Sequence, residues 1–221
     1  MGEKLNGQQI LDEGIDDWRF LLHSLHARFA TGGFQKGLDL GNAIGAAAEE
    51  MNHHPDLDLR WGHLNITLSS HDTGGVTDRD ITLARRISEL AAEMGAEARP
   101  GDVQALELAL DTPDAARVKP FWAAVLGLDD DPDGPDEVAD GAGALPSLWF
   151  QKTDEHETPR QRFHLDIWVP HDLAQARIAA ALEAGGTLVS DSEAPSFTVL
   201  ADPDGNKACV CTWEARTSSS D

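Results

Sequence analysis

The first hundred residues carry two kinds of hydrophobic spacing. Residues 34–51 and 78–94 place apolar side chains every three or four positions, which predicts two long helices. Residues 17–31 and 56–71 alternate apolar and polar side chains, most clearly between Trp61 and Leu68, and this alternation predicts half-buried strands. The pattern therefore predicts a mixed α and β structure in this half of the chain.

Short signals bound the two predicted helices. Pro55 prevents the first helix from continuing, because the residue before a proline favours extended geometry. Thr77 is a suitable N-cap for the second helix, and Asp80 three residues later completes a capping box. Gly95 is a plausible stop for that helix.

The second half of the chain contains an internal repeat. Strand-like and helix-like runs follow one another in a similar order twice, in units of about 55 residues. The runs are 103–111, 114–128 and 147–151, then 162–169, 172–184, 187–190, 197–200 and 207–213. We interpret them as paired βαβββ modules and expect two domains, residues 1–97 and residues 102–215.

Composition narrows the possible partners and the compartment. The formal net charge is −22, and both halves of the chain are acidic, which disfavours nucleic acid as a partner. No apolar stretch approaches the ~20 residues needed to span a bilayer, and the first residues lack the apolar run of a signal peptide. Cys209 and Cys211 are expected to be free thiols, so we expect a cytoplasmic protein.

Three histidines lie around one predicted chain reversal. His53 and His54 precede Pro55 at the end of the first long helix, and His71 follows the strand that ends near Leu68. Imidazole titrates closest to neutral pH, so it suits a site that donates one proton and accepts another. We therefore take the three histidines as candidate catalytic residues.

The residues alone leave other interpretations open. A His-His pair at a helix end is often plain surface, and Asp80 is equally suited to a purely capping role. His53, His54 and His71 also have the residue type of a metal site. No fourth ligand has a fitting spacing, so a metal ranks below acid–base chemistry.

The order of these residues resembles the signature of the pterin-4a-carbinolamine dehydratases. The matching segments are 48–55, Trp61, 65–72 and 75–84. The resemblance covers residues 5–97. Leu57 stands where the family usually has a tryptophan, and Asn65 stands where many members have a further histidine. Neither departure removes one of the three histidines.

The resemblance implies both a fold and a reaction. It implies an α+β domain in which two long helices cover one face of an antiparallel sheet. The reaction is loss of water from a 4a-hydroxytetrahydropterin to give the quinonoid dihydropterin, with no cofactor. The family commonly self-associates, so we expect a homodimer or homotetramer. The alternative is a non-catalytic binding or regulatory module, because some relatives are dimerisation partners of a transcription factor.

The resemblance also implies roles for individual residues. His53 and His71 would form the acid–base pair, and His54 would hold the substrate. Other polar residues would face the pterin or orient an imidazole: Glu49, Asn52, Ser69, Ser70, Asp72 and Asp80.

The repeat in the second half resembles the glyoxalase-like branch of the vicinal oxygen chelate fold. The similar segments are 121–127, 162–166 and 202–206. Enzymes of that fold usually hold a divalent metal with four inward residues, and the matching positions here are Gln104, Gln151, His164 and Cys209. Because hard divalent ions prefer carboxylates, we expect no native metal, although a thiolate with one histidine would favour zinc. The domain would be an accessory or small-molecule binding unit, with a metal-dependent lyase or dioxygenase as the alternative.

Overall fold

The computed structural model describes residues 2–103, 105, 108–128, 136–140, 145–155, 164–169, 174–212 and 214–215. The chain divides into two compact units, Met1–Ala105 and Leu106–Asp221. Among the described residues, no helix has both the length and the apolar character needed to cross a membrane.

The N-terminal unit is an antiparallel sheet with helices, as predicted. The sheet order is β1-β2-β4-β3, and β5 pairs with β2 beside β1. The elements are α1 (Gly7–Asp12), β1 (Arg19–Leu21), β2 (Ser24–Ala30), α2 (Phe34–Met51), β3 (Asp56–Leu59), β4 (His63–Leu68), α3 (Asp78–Glu93) and β5 (Glu97–Ala98). The two long helices begin and end within a residue of the sequence prediction.

One face of this sheet forms the core together with α2 and α3. The alternate residues of the central strands are buried because successive strand side chains point to opposite faces. They pack in one cluster with apolar side chains of both helices: Leu25, Ala27, Phe29, Leu64, Ile66, Leu68, Leu40, Ile44, Leu83 and Ile87. Each fully buried leucine or isoleucine contributes about 1.5–3 kcal/mol relative to exposure.

The ends of the two helices position the histidine segments. Helix α2 ends at Met51, and its C-cap Asn52 is left-handed with φ of 48°, a conformation that asparagine tolerates better than most residues. The chain therefore leaves the helix three residues before Pro55, and His53 and His54 lie outside it. Thr77 caps α3, and the predicted capping box with Asp80 is confirmed.

The described residues of the C-terminal unit form two sheets and two helices. The sheet orders are β6-β8-β7 and β10-β11-β12-β9, and the pairs β6–β8 and β9–β12 are parallel. The elements are β6 (Leu108–Thr112), α4 (Ala115–Leu126), β7 (Glu137–Val138), β8 (Leu148–Lys152), β9 (Leu165–Trp168), α5 (Ala174–Glu183), β10 (Thr187–Ser190), β11 (Phe197–Ala201) and β12 (Lys207–Cys211). The second module has the predicted βαβββ order, and the described part of the first shows βαββ.

A buried carboxylate fixes the turn between β11 and β12. Asp202 accepts hydrogen bonds from the Trp122 indole at 3.0 Å, from the Asp204 backbone N–H at 2.9 Å and from the Asn206 backbone N–H at 2.8 Å. The Asn206 side-chain amide adds a fourth at 2.9 Å. The turn is thereby tied to helix α4, which explains why an Asp-Pro-Asp-Gly-Asn sequence lies beside the core.

Candidate active site

His53 is the buried member of the three histidines. Only 7% of its surface is exposed, and its backbone N–H donates to the Ala48 carbonyl at 3.0 Å, just past the end of α2. Its ring Nε2 lies 2.7 Å from Oδ1 of Asp80, whose side chain is fully buried. A buried imidazole is thus held by a buried carboxylate from the first turn of α3.

The second oxygen of Asp80 determines the proton position on His53. Oδ2 accepts from the Ser70 hydroxyl at 2.7 Å and from the Thr77 backbone N–H at 2.8 Å. Since the carboxylate acts as an acceptor at Oδ2, we assign the Asp80–His53 contact as Nε2–H donating to Oδ1. His53 Nδ1 is then the ring nitrogen available for proton transfer.

The turn that carries His71 is connected to His53 through the same carboxylate. Ser70 pairs with Gly75 across the turn, with its N–H 2.8 Å from the Gly75 carbonyl, and its hydroxyl contacts Asp80. His71 follows immediately and is exposed. Asp80 therefore joins the two histidine segments, although they are separated along the chain.

His54 differs from His53 in its surroundings. It is exposed, and its Nε2 lies 3.2 Å from a carboxylate oxygen of Glu49, which is itself 80% exposed. This pair spans the end of α2 on the solvent side. His54 is accessible to a ligand but is held far less firmly than His53.

The other predicted site residues fall into two groups. Ser70 and Asp80 are buried and bonded to each other, so they support the imidazole rather than face solvent. Asn52 and Asp72 are exposed, and Ser69 is half-buried. Asp72 pairs with Arg79, and the hydrogen bond from that guanidinium holds the pKa of the Asp72 carboxyl below its usual value.

The C-terminal unit holds a second cluster of polar side chains. His164, Asp166 and Cys209 bring their ligand atoms within 4.8 Å of one another. Burial raises the pKa of the Cys209 thiol to about 11, helped by its hydrogen bond to Asp166. Of the four positions expected from the sequence, Gln104 lies outside the described residues, and Gln151 is exposed with its amide on the Lys152 carbonyl at 3.2 Å.

Comparison with known proteins identifies the family. A sequence profile described as pterin 4 alpha carbinolamine dehydratase matches residues 3–90. A Nocardia farcinica protein provisionally named a pterin-4-alpha-carbinolamine dehydratase is 38% identical over 91 residues, which cover 40% of this chain and 96% of that protein. The chain belongs to the pterin-4a-carbinolamine dehydratase family.

A second relative agrees with this family membership. An Aquifex aeolicus protein with the same provisional name is 33% identical over 96 residues, covering 42% of this chain and 97% of that protein. The solved transcriptional coactivator/pterin dehydratase from Brucella melitensis is 22% identical, with a TM-score of 0.39 over 40% of this chain and 99% of that chain. A profile described as glyoxalase-like domain matches residues 107–211. The two profiles confirm the resemblance of each half of the chain.

Sequence reasoning about this pterin-dehydratase domain missed one structural partner. Thr77 was expected only to cap α3, but its hydroxyl also lies 2.9 Å from the Ser70 hydroxyl, which completes the polar group around Asp80. Asp166 in the glyoxalase-like domain was missed as well, since its contact with Cys209 depends on the pairing of β9 with β12. The pattern His164-x-Asp166 at the start of β9 was the available signal.

Proposed function

We propose that the N-terminal domain dehydrates 4a-hydroxytetrahydropterins to quinonoid dihydropterins. One observation carries the proposal: the buried contact between His53 and Asp80, at 2.7 Å. A buried His–carboxylate pair is expensive to desolvate and is a common arrangement for holding an imidazole in one tautomer. Family membership supports a pterin as the substrate class.

The reaction requires two proton transfers and no change of oxidation state. The hydroxyl on C4a accepts a proton and leaves as water, while N5 loses its proton and forms the double bond to C4a. The two transfers balance, so the enzyme regains its starting protonation when one proton passes from the base back to the acid, directly or through solvent. Two imidazoles near neutral pH can perform both steps.

The environments of the histidines suggest a division of roles. His53 has a fixed ring and presents Nδ1, which suits proton transfer to or from one reacting atom. His71 lies on the neighbouring turn and is exposed, so it can serve the other atom and exchange protons with solvent. His54, beside Glu49, would bind a polar group of the pterin ring.

Rates of 4a-hydroxytetrahydropterin dehydration test the proposal. His53→Ala and His71→Ala are expected to lower kcat by about 10²-fold or more, the usual contribution of a general acid or base. His54→Ala is expected to act mainly on KM, because it removes binding rather than proton transfer. His23→Ala is the matched control, since His23 is an exposed histidine on the turn between β1 and β2.

Two results would argue against the proposal. One is a wild-type protein that is no faster than the spontaneous reaction, and this result would favour the binding or regulatory alternative. The other is an equal loss in all four variants, which would indicate a general effect on the fold. Circular dichroism of each variant shows whether a loss of activity comes from a loss of fold.

A further inference from the structure

The glyoxalase-like domain gathers three metal-binding side chains on one face of one sheet. Strands β9 and β12 are parallel neighbours, and Cys209 is paired with Asp166. His164 stands two residues before Asp166, and strand geometry places such residues on the same face. The opposite face packs into the core with α4 and α5 through Leu165, Ile167, Ala208 and Val210.

The ligand atoms of the three side chains are nearly as close to one another as the ligand atoms of a zinc site are. His164 Nε2 is 3.3 Å from an Asp166 oxygen, and all three ligand atoms lie within 4.8 Å. In a tetrahedral zinc site the ligand atoms are roughly 3.3–3.6 Å apart, given Zn–N and Zn–O near 2.0 Å and Zn–S near 2.3 Å. Small rotations of exposed His164 and Asp166 would reach that spacing, while Cys209 is fixed by burial.

This ligand set differs from the four-residue set expected from the resemblance. Gln151 donates to the Lys152 carbonyl, and Asp166 takes part although the resemblance did not assign it. Thiolate, imidazole and carboxylate together favour a borderline-soft ion over Mg²⁺ or Ca²⁺, which prefer oxygen ligands. The sequence expectation of no native metal rested on the two glutamines and on Cys209 in place of a carboxylate, and Asp166 supplies a carboxylate that those positions lack.

We propose that the glyoxalase-like domain binds one Zn²⁺ ion through His164, Asp166 and Cys209, with its fourth position open. Three protein ligands and one open position are the usual arrangement of a zinc site that accepts an external oxygen or nitrogen ligand. The site is independent of the proposed dehydratase chemistry, which uses residues of the other domain.

Titration of the tag-free, full-length apoprotein with Co²⁺ tests this site without any activity assay. Co²⁺ replaces Zn²⁺ in such sites, and a cobalt–thiolate bond gives a charge-transfer absorption in the near ultraviolet. We expect this absorption to saturate at one equivalent and to be removed by Zn²⁺ but not by Mg²⁺. Elemental analysis of the same protein after equilibration with Zn²⁺ and desalting should give one zinc per chain.

Cysteine variants supply the decisive comparison. Cys209→Ser is expected to abolish the charge-transfer absorption, whereas Cys211→Ser is expected to keep it. Cys211 is the matched control because it is buried on the same strand, two residues away, and is not part of the cluster. His164→Gln and Asp166→Asn are expected to weaken cobalt binding by about 100-fold, since even outer-sphere changes cost about 10–100-fold.

The opposite results would overturn the proposal. These are no cobalt–thiolate absorption in the wild type, or equal absorption in Cys209→Ser and Cys211→Ser. Should Cys209→Ser fail to fold, unchanged cobalt affinity in both His164→Gln and Asp166→Asn would overturn it equally, because both side chains are exposed and we expect their substitution to leave the fold intact. Loss of zinc binding with normal dehydratase rates would leave the proposed function of the N-terminal domain untouched.

Discussion

Asp80 Oδ1 lies 2.7 Å from Nε2 of His53, and both side chains are buried. The other oxygen of Asp80 receives the Ser70 hydroxyl and the Thr77 backbone N–H. One carboxylate thus caps a helix, secures the turn before His71 and orients an imidazole. These three contacts make Asp80 the residue on which the geometry of the candidate site most depends.

Asp80→Asn is expected to lower kcat by about 10²-fold or more with little loss of fold. The donors from Ser70 and Thr77 would keep the amide oxygen at the Oδ2 position, so the amide NH₂ would face His53. His53 would then carry its proton on Nδ1, the wrong tautomer for the proposed proton transfer. Steady-state kinetics of 4a-hydroxytetrahydropterin dehydration by the wild type and the variant measure the loss of kcat.

Asp78→Asn is the control for this prediction. Asp78 is an exposed carboxylate in the same first turn of α3. The substitution Asp78→Asn therefore removes the same charge near the helix N-terminus without changing the contact with His53. An equal loss of kcat in both variants would mean that charge at the helix end, and not orientation of His53, sets the rate.

Ser70→Ala is expected to lower the free energy of unfolding by about 1–3 kcal/mol. The change removes a 2.7 Å hydrogen bond to Asp80 and a 2.9 Å contact with Thr77, and both partners are buried. Urea denaturation monitored by circular dichroism measures the loss. Ser69→Ala, at the half-buried neighbouring position, should change the value by less than about 0.5 kcal/mol; a similar loss in both would contradict the prediction.

The sequence predicted the regular elements well because their signals are local. The bounds of α2 and α3 and the Thr77–Asp80 capping box depend on spacing within a few residues. The exit from α2 was less well predicted: Pro55 limits the helix, but the left-handed Asn52 ends it. Asparagine adopts this conformation only at some sites, so the residue type alone did not indicate it.

The sequence predicted which residues form the candidate site, but not which of their side chains are buried. All three histidines were named from the sequence, yet only the packing of α2 against α3 separates buried His53 from exposed His54. The role of Asp80 was left between capping and orientation, and the structure shows both contacts. Asp166 was absent from the expected metal positions, since strand register cannot be read from one strand alone.

His26→Gln is expected to reduce the acid sensitivity of the N-terminal domain. Burial lowers the pKa of His26 in the folded state, so the unfolded chain takes up this proton first as pH falls. The stabilising contribution is therefore present above about pH 6.5 and is lost progressively as pH falls from there towards the lower folded pKa. The slope of unfolding free energy against pH should flatten in the variant.

Urea denaturation of wild type and His26→Gln at a series of pH values measures that slope. His23→Gln serves as the control, because His23 is exposed on the turn next to the same strand. Parallel curves for wild type and His26→Gln between about pH 7.5 and pH 5 would show that His26 does not carry the expected dependence.

Asp202→Ala is expected to destabilise the C-terminal domain by about 3 kcal/mol or more. The buried carboxylate accepts hydrogen bonds from Trp122, Asp204 and Asn206, and its removal leaves several buried donors without an acceptor. Each buried donor left unpaired costs about 1–3 kcal/mol. Asp202→Asn retains one oxygen and should cost less, while Asp191→Asn, an exposed aspartate on the same domain, should be neutral. Thermal unfolding of the three variants measures these differences. Equal melting temperatures for Asp202→Ala and Asp191→Asn would show that the Asp202 carboxylate does not stabilise the attachment of this turn to α4.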